Sequence, residues 1–239
     1  MVNYKKYFDI EIFEGKISKH AYPWHFHNCY TLIVVKEGAN KYEFQNNSLQ
    51  VDACQALIIE PFQIHRNTIS STTFYKALFI PIDYFEEASR HQIKTVKFTQ
   101  PTEINKINTL INKIELIDSE NELKELVVKS FEMLYQLTIK KNDDKKSLLI
   151  SPKIDYDLTI NELAEKAHLS KYHFQRKFKK NNGLTIGQLK QQEKTIIAKT
   201  LLENGKPSTA VAHELGFFDQ SHFIKYFKKM WATTPKKFK

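Results

Sequence analysis

The stretch STAVAHELGFFDQSHFIKYFKK, Ser208 to Lys229, places two short helical patterns on either side of a glycine. Ala212 and Leu215 mark the inner side of the first, and Phe223 and Phe227, four residues apart, mark one face of the second. The arrangement also stands 48 to 49 residues earlier in TINELAEKAHLSKYHFQRKFKK, Thr159 to Lys180. There Ala164 takes the place of Ala212, Ala167 that of Leu215, and Phe174 and Phe178 those of Phe223 and Phe227. Thr159 with Glu162 three residues on makes a capping box for the first helix, and Ser170 caps the second. A small residue at 164 and 212 lets two helices cross closely. Between the two stretches, TIGQLKQQEKTIIAKTLLENG carries Leu189, Ile196, Ile197, Leu201 and Leu202 on a long helix that ends near Gly205. The pattern is two helix-turn-helix units held apart by a rod.

The phenylalanines build this scaffold, and their polar neighbours face outward. On the first unit these are Lys171, Tyr172, Gln175, Arg176 and Lys179, residue types that reach phosphates and base edges. Charge agrees. The chain of 239 residues carries a net charge of +9, and all of the excess lies at its end: residues 151–239 hold 17 Lys/Arg against 8 Asp/Glu, while 1–100 hold 11 against 10 and 101–150 hold 8 against 9. A basic domain beside a neutral one points to a polyanion partner.

GFFDQSHFIKYFKKMWATTPKKFK, Gly216 to Lys239, resembles the C-terminal signature of the AraC/XylS family of bacterial transcription regulators in Gly216, Phe217, Asp219, Ser221, Phe223, Phe227, Thr234 and Pro235. HLSKYHFQRKFKK resembles the family's first recognition helix. One departure is Ala232, where the family has glycine; alanine fits there if the position needs no positive φ. The resemblance implies an all-α domain of about seven helices whose two recognition helices enter successive major-groove segments, about 34 Å apart on one face of double-stranded DNA. By position it makes Tyr172, Gln175 and Arg176, and Gln220, Ser221, His222 and Lys225, the base-reading residues. Phosphate contacts fall to Lys171, Lys179, Lys229 and the helix start at Ser208 and Thr209.

The N-terminal half reads differently. YTLIVV, KYEF, ALIIE and YKALFIPI between Tyr30 and Ile82 are short β-like runs parted by turn signals at KEGAN and QNNS, as in a sandwich or barrel, with a short helix expected from Tyr84 to His91. From Glu103 the period becomes helical. Ile104, Ile107, Ile111 and Ile114 share one face, and Leu123, Val127, Phe131, Leu134 and Thr138 share another. Such stripes either cover the β-domain or form a homodimer seam, for which Leu123, Val127, Phe131 and Leu134 are the candidates. KKNDDKKS then interrupts every pattern, which gives a sensing and dimerisation domain over 1–140, a linker over 141–157 and a DNA-binding domain over 158–239. The fold class is α+β in two domains.

In PWHFHNCY, His25 and His27 would project from one face of a strand. HFHNCYTLIVVKEG and PFQIHRN resemble the two cupin motifs, which implies a cupin-like barrel. Metal-binding cupins place a glutamate four or five residues after the second histidine, where this chain has Thr31 and Leu32. The site is therefore expected to hold no metal, with His25, His27 and His65 as the alternative ligand set for zinc, iron, nickel or copper. Tyr22, Trp24, His25, His27, Tyr30, Tyr42 and His65, with Phe26 and Phe44 nearby, are expected to line a pocket for a small organic effector.

These readings make the chain a cytoplasmic, effector-controlled transcription regulator, a homodimer with RNA polymerase as a further partner and no membrane association. It is not read as an enzyme, because nothing supplies a nucleophile and base; the alternative is a metal-dependent cupin enzyme carrying a nucleic-acid-binding domain. No stretch approaches the length of apolar sequence that spans a bilayer. Cys29 and Cys54, too few for a disulfide framework, are expected reduced and buried.

Overall fold

The computed structural model describes residues 2–85, 93–139 and 158–238, of which the first part is built on β-sheet with two covering helices and the last is helical. The expected linker 141–157 and most of the expected helix from Tyr84 to His91 lie outside the described residues. Tyr84 itself closes a short 3-10 turn, Ile82–Tyr84.

The β-unit contains β1 (Val2–Tyr7), β2 (Ile10–Ile17), β3 (His20–Ala21), β4 (Cys29–Glu37), β5 (Ala39–Phe44), β6 (Ser48–Asp52), β7 (Gln55–Ile59), β8 (His65–Ile69), β9 (Thr73–Pro81) and β10 (Val96–Phe98). They form a six-stranded sheet in the order β1-β2-β9-β4-β7-β10 and a four-stranded sheet in the order β3-β8-β5-β6, a cupin-like arrangement. The four β-like runs read from the sequence are β4, β5, β7 and β9. The hairpin β1–β2 was not among them; its alternating Ile10 and Ile12 are the signal that marks it.

β4 explains why YTLIVV is apolar without alternation. It pairs with β9 on one side and β7 on the other, and both of its faces are buried. Tyr30, Leu32 and Val34 face a cluster formed with α1 (Pro101–Ile114) and α2 (Glu120–Ile139), while Thr31, Ile33 and Val35 lie on the opposite face of the pleat. The turn into β5 requires Gly38. Its φ is +75°, and a Cβ there would come within 2.5 Å of the Thr72 carbonyl oxygen.

Both helical stripes belong to that cluster. Ile104, Ile107, Ile111 and Ile114 of α1 and Leu123, Val127, Phe131 and Leu134 of α2 are buried within the single chain against the six-stranded sheet. The expectation of a dimer seam at Leu123, Val127, Phe131 and Leu134 is therefore corrected. A side chain closed over by its own domain, contributing about 1.5–3 kcal/mol to that core, is not offered to a partner. Cys54 is likewise exposed rather than buried, at a turn with φ +60°, and Cys29 is half-buried.

The helical unit comprises α3 (Ile160–Lys166), α4 (Lys171–Asn182), α5 (Ile186–Glu203), α6 (Ser208–Glu214) and α7 (Gln220–Trp231), closed by a 3-10 turn, Pro235–Lys237. Over 158–238 these are five α-helices and one 3-10 turn. α3 and α4 make one helix-turn-helix, α6 and α7 the other, and α5 is the rod between them.

Candidate nucleic-acid interface and barrel site

Each recognition helix is started by a side chain. The Ser170 hydroxyl accepts a hydrogen bond from the His173 backbone N–H at the head of α4, and the Asp219 carboxylate accepts one from His222 at the head of α7. The first helix, α3, has the full capping box: Thr159 Oγ1 accepts from the Glu162 N–H, and the Glu162 carboxylate accepts from the Thr159 N–H. Hydrogen bonding of the Glu162 carboxyl to the Thr159 side chain and to the Thr159 backbone N–H holds it below its usual range.

The turn geometry is duplicated. His168 and Gly216, at matching places, both have positive φ, +54° and +63°. In each turn the following residue donates its backbone N–H to the alanine where the helices cross: Leu169 to Ala164, and Phe217 to Ala212, both at 2.9 Å. The second turn then has one more residue. Ser170 and Asp219 are 49 apart whereas His168 and Gly216 are 48 apart, so the inserted residue is Phe218, which is 92% exposed. The change of offset from 48 to 49 was the sequence signal for it.

The helix ends match as well. α4 stops at Gly183 with φ +67°, and α7 stops at Ala232, 49 residues on, with φ +55°. The expectation that Ala232 would avoid a positive φ is corrected: the left-handed conformation is imposed by the C-cap, and alanine adopts it against the steric preference of its Cβ.

Packing below the two recognition helices differs. Phe223 and Phe227 are fully buried in a cluster with Ala198, Leu202, Val211, Ala212 and Phe217. Phe174 and Phe178 pack ring to ring at 5.9 Å but stay half-buried, and no residue of α4 is buried. Above the scaffold, Tyr172, Arg176, Ser221, His222, Lys225, Lys171, Lys179, Thr209 and Lys229 are exposed, as is Gln220, while Gln175 and Ser208 are half-buried. α4 carries Lys171, Arg176, Lys177, Lys179 and Lys180, and α7 carries Lys225, Lys228 and Lys229; neither helix contains an acidic side chain. Arg176 lies over the Tyr172 ring, 5.8 Å from its centre, so these two side chains present themselves together. His222 meets the Tyr226 ring edge-on at 4.8 Å. The Ser208 hydroxyl accepts a hydrogen bond from Gln220 Nε2 at 2.9 Å, which leaves its O–H as a donor.

In the barrel, His25 and His65 form an antiparallel bridge through reciprocal backbone hydrogen bonds of 2.9 Å, with their rings 4.3 Å apart. His25 Nδ1–H donates to the Pro23 carbonyl at 2.7 Å, which leaves Nε2 as the lone-pair nitrogen. Burial pushes its pKa down to about 4, so the ring is neutral at physiological pH. A donor nitrogen of His27 joins those of His25 and His65, all within 4.8 Å of one another. This is a donor set that imidazole-binding metals accept. Of the two positions where a metal-binding cupin has its carboxylate, Thr31 offers a hydroxyl that is buried with no hydrogen-bond partner, and Leu32 faces the α1–α2 cluster.

Other expected pocket residues divide. Tyr42 is buried and belongs to a hydrogen-bonded chain in which Asn67 Nδ2 donates to Asn40 Oδ1 and Asn40 Nδ2 donates to the Tyr42 hydroxyl. Sequence reasoning does not find Asn40 and Asn67, whose burial and pairing come from the meeting of β5 and β8. Trp24 is half-buried beneath the Arg66 guanidinium at 5.0 Å, and the half-buried Tyr22 has its ring 6.4 Å from that of His25. Phe26 packs near Phe62, and Phe44 is buried. Tyr30 is corrected. It sits in the helix-covered cluster, edge-on to Phe85 and Phe131, because its place on β4 sends it to the sheet's outer face.

Residues 7–115 match the family model of an AraC-like ligand binding domain, and residues 163–239 match that of a helix-turn-helix domain. Over 91 residues the chain is 31% identical to the multiple antibiotic resistance protein MarA of Escherichia coli (strain K12), covering 38% of this chain and 72% of that protein. It is 24% identical over 236 residues to the uncharacterized HTH-type transcriptional regulator YbfI of Bacillus subtilis (strain 168), covering 89% and 85%. The crystal structure of ToxT from Vibrio cholerae with a bound unsaturated fatty acid has a TM-score of 0.63 at 14% identity, covering 100% of this chain and 96% of that one. A further ToxT structure gives 0.62 at 15% identity, covering 98% and 97%. At such identity the likeness is one of fold. Among the described residues no helix is long and apolar enough to cross a membrane.

Proposed function

The chain belongs to the AraC/XylS family of transcription regulators, DNA-binding proteins with an N-terminal ligand-binding domain, and from that premise we propose how this member divides the work. Residues 1–140 sense a small organic effector and assemble the homodimer, 141–157 link, and 158–239 bind a promoter in the cytoplasm, where RNA polymerase is the further partner. The chain has no catalytic role. The observation that carries the reading is the pair of capped recognition helices, α4 and α7, whose exposed faces are basic and free of carboxylates.

An organic effector is supported over a metal by two features. The histidine set lacks a carboxylate at 31 and 32, and the half-buried Tyr22 ring stands 6.4 Å from that of His25, aromatic surface of the kind an organic molecule packs against. That ToxT was crystallised with an unsaturated fatty acid agrees with this choice. Dimerisation falls to surfaces other than the Leu123–Leu134 stripe.

The test is a footprint on DNA flanking the coding region, with and without metabolite extracts, and a salt titration of the complex. Neutralising about six phosphates lowers affinity on the order of 10³-fold between 50 and 200 mM salt, and isolated residues 150–239 should retain that dependence. Salt-independent binding contradicts the assignment. Stoichiometric metal in the purified protein, lost on substituting His25 and His27, favours the metal-dependent enzyme instead.

A further inference from the structure

Ser208 opens α6 and Gln220 opens α7, and the Gln220 amide donates from Nε2 to the Ser208 hydroxyl at 2.9 Å. The contact joins the first residues of the two helices of one helix-turn-helix, across 12 positions of sequence. Its effect on Gln220 is orientational. A glutamine amide has two N–H donors and one carbonyl acceptor; when the N–H anti to Oε1 is the one held by a fixed hydroxyl, the other N–H and Oε1 point together from one end of the group. Adenine presents the complement in the major groove: an N7 acceptor beside an N6–H donor.

We propose that Ser208 is a positioning residue that holds the Gln220 amide so that it reads an adenine. The inference rests on the DNA-binding reading above and deepens it. The first unit shows what its absence looks like. Ile160 occupies the place of Ser208 and Lys171 that of Gln220, so no side-chain hydroxyl stands there to orient a partner, and the residue at the head of α4 is a cation without an acceptor. Orientation of the first residue of the recognition helix by a hydroxyl is then confined to the second unit.

The experiment uses the full-length protein and a duplex selected by it from a random-sequence pool. Each adenine preferred in the half-site of the second unit is replaced in turn by the other bases and by 7-deazaadenine, which lacks only the N7 acceptor. Wild-type protein should lose roughly tenfold in affinity at one such position. Gln220→Ala and Ser208→Ala should both erase the preference at that same base pair while binding the substituted duplexes as the wild type does, and Ser208→Thr, which keeps the hydroxyl, should restore it. Thermal melting of Ser208→Ala at the wild-type temperature shows that the fold is kept. A loss from Ser208→Ala shared equally by every duplex makes Ser208 a phosphate contact and overturns the proposal. An adenine preference that survives either alanine variant overturns it too. Failure of the wild type to select any sequence overturns the DNA-binding reading itself, and the proposal with it.

Discussion

The two helix-turn-helix units share a plan and differ in what supports it. In the second, the recognition helix stands on two fully buried phenylalanines and a cluster reaching α5, α6 and Phe238; in the first, the matching phenylalanines are half-exposed. The second recognition helix thus contributes buried side chains of its own, whereas around the first the buried residues, Ala164, Leu184, Ile186 and Leu189, lie on segments other than α4. The left-handed positions make a complementary pair. Glycine stands at the turn of the second unit and the helix end of the first, and His168 and Ala232 stand at the other two. Each unit has one relaxed junction and one strained one, so duplication of a backbone did not require duplication of its glycines.

The largest test of this contrast is truncation of the supporting rings. Phe223→Ala should destabilise the helical domain by about 3–5 kcal/mol, as for a buried phenylalanine, and Phe174→Ala by only about 1–2 kcal/mol because its ring already meets water. Urea denaturation of both variants measures the difference; equal losses would remove the asymmetry. Next comes readout. Arg176→Ala or Gln175→Ala should cost about 1–3 kcal/mol of binding and relax discrimination in one half of the site, while Lys179→Ala should weaken binding to all duplexes alike. Titrations against base-substituted duplexes distinguish these, and uniform losses throughout would assign the faces wrongly. The smallest effects lie at the junctions. His168→Gly and Ala232→Gly should each raise stability by about 0.5–1 kcal/mol, and Gly216→Ala should lower it by a similar amount. Thermal melting checks all three, and a destabilising Ala232→Gly would show that the αL position carries no strain.

The helix-turn-helix units were legible because their signals are local: caps, small crossing residues and paired phenylalanines sit within a turn or two of one another. The positive φ at Ala232 was not, since an alanine side chain carries no mark of the backbone it is forced into. In the β-unit, periodicity revealed the stripe from Leu123 to Leu134 but not its partner, because a helix uses the same side chains to cover a sheet or to meet a second copy. Tyr30 was placed on the wrong face for a related reason. A strand buried on both sides has no polar residues to show which direction is inward. The polar chain through Asn40 and Asn67 depends on two strands coming together, which no single run of sequence displays.

The neutral imidazole of His25 also sets an acid limit on the barrel. Its pKa lies near 4 in the folded chain against an ordinary value of 6.5, so between those values the unfolded chain takes up a proton that the folded one refuses. The stability that His25 contributes is whole above pH 6.5 and drains away as the pH falls toward 4. Mild acid should accordingly loosen the sensor while each peptide bond stays intact; thermal melting followed from pH 7 down to pH 4 would see its transition fall, and a transition that stays put would remove His25 as the cause.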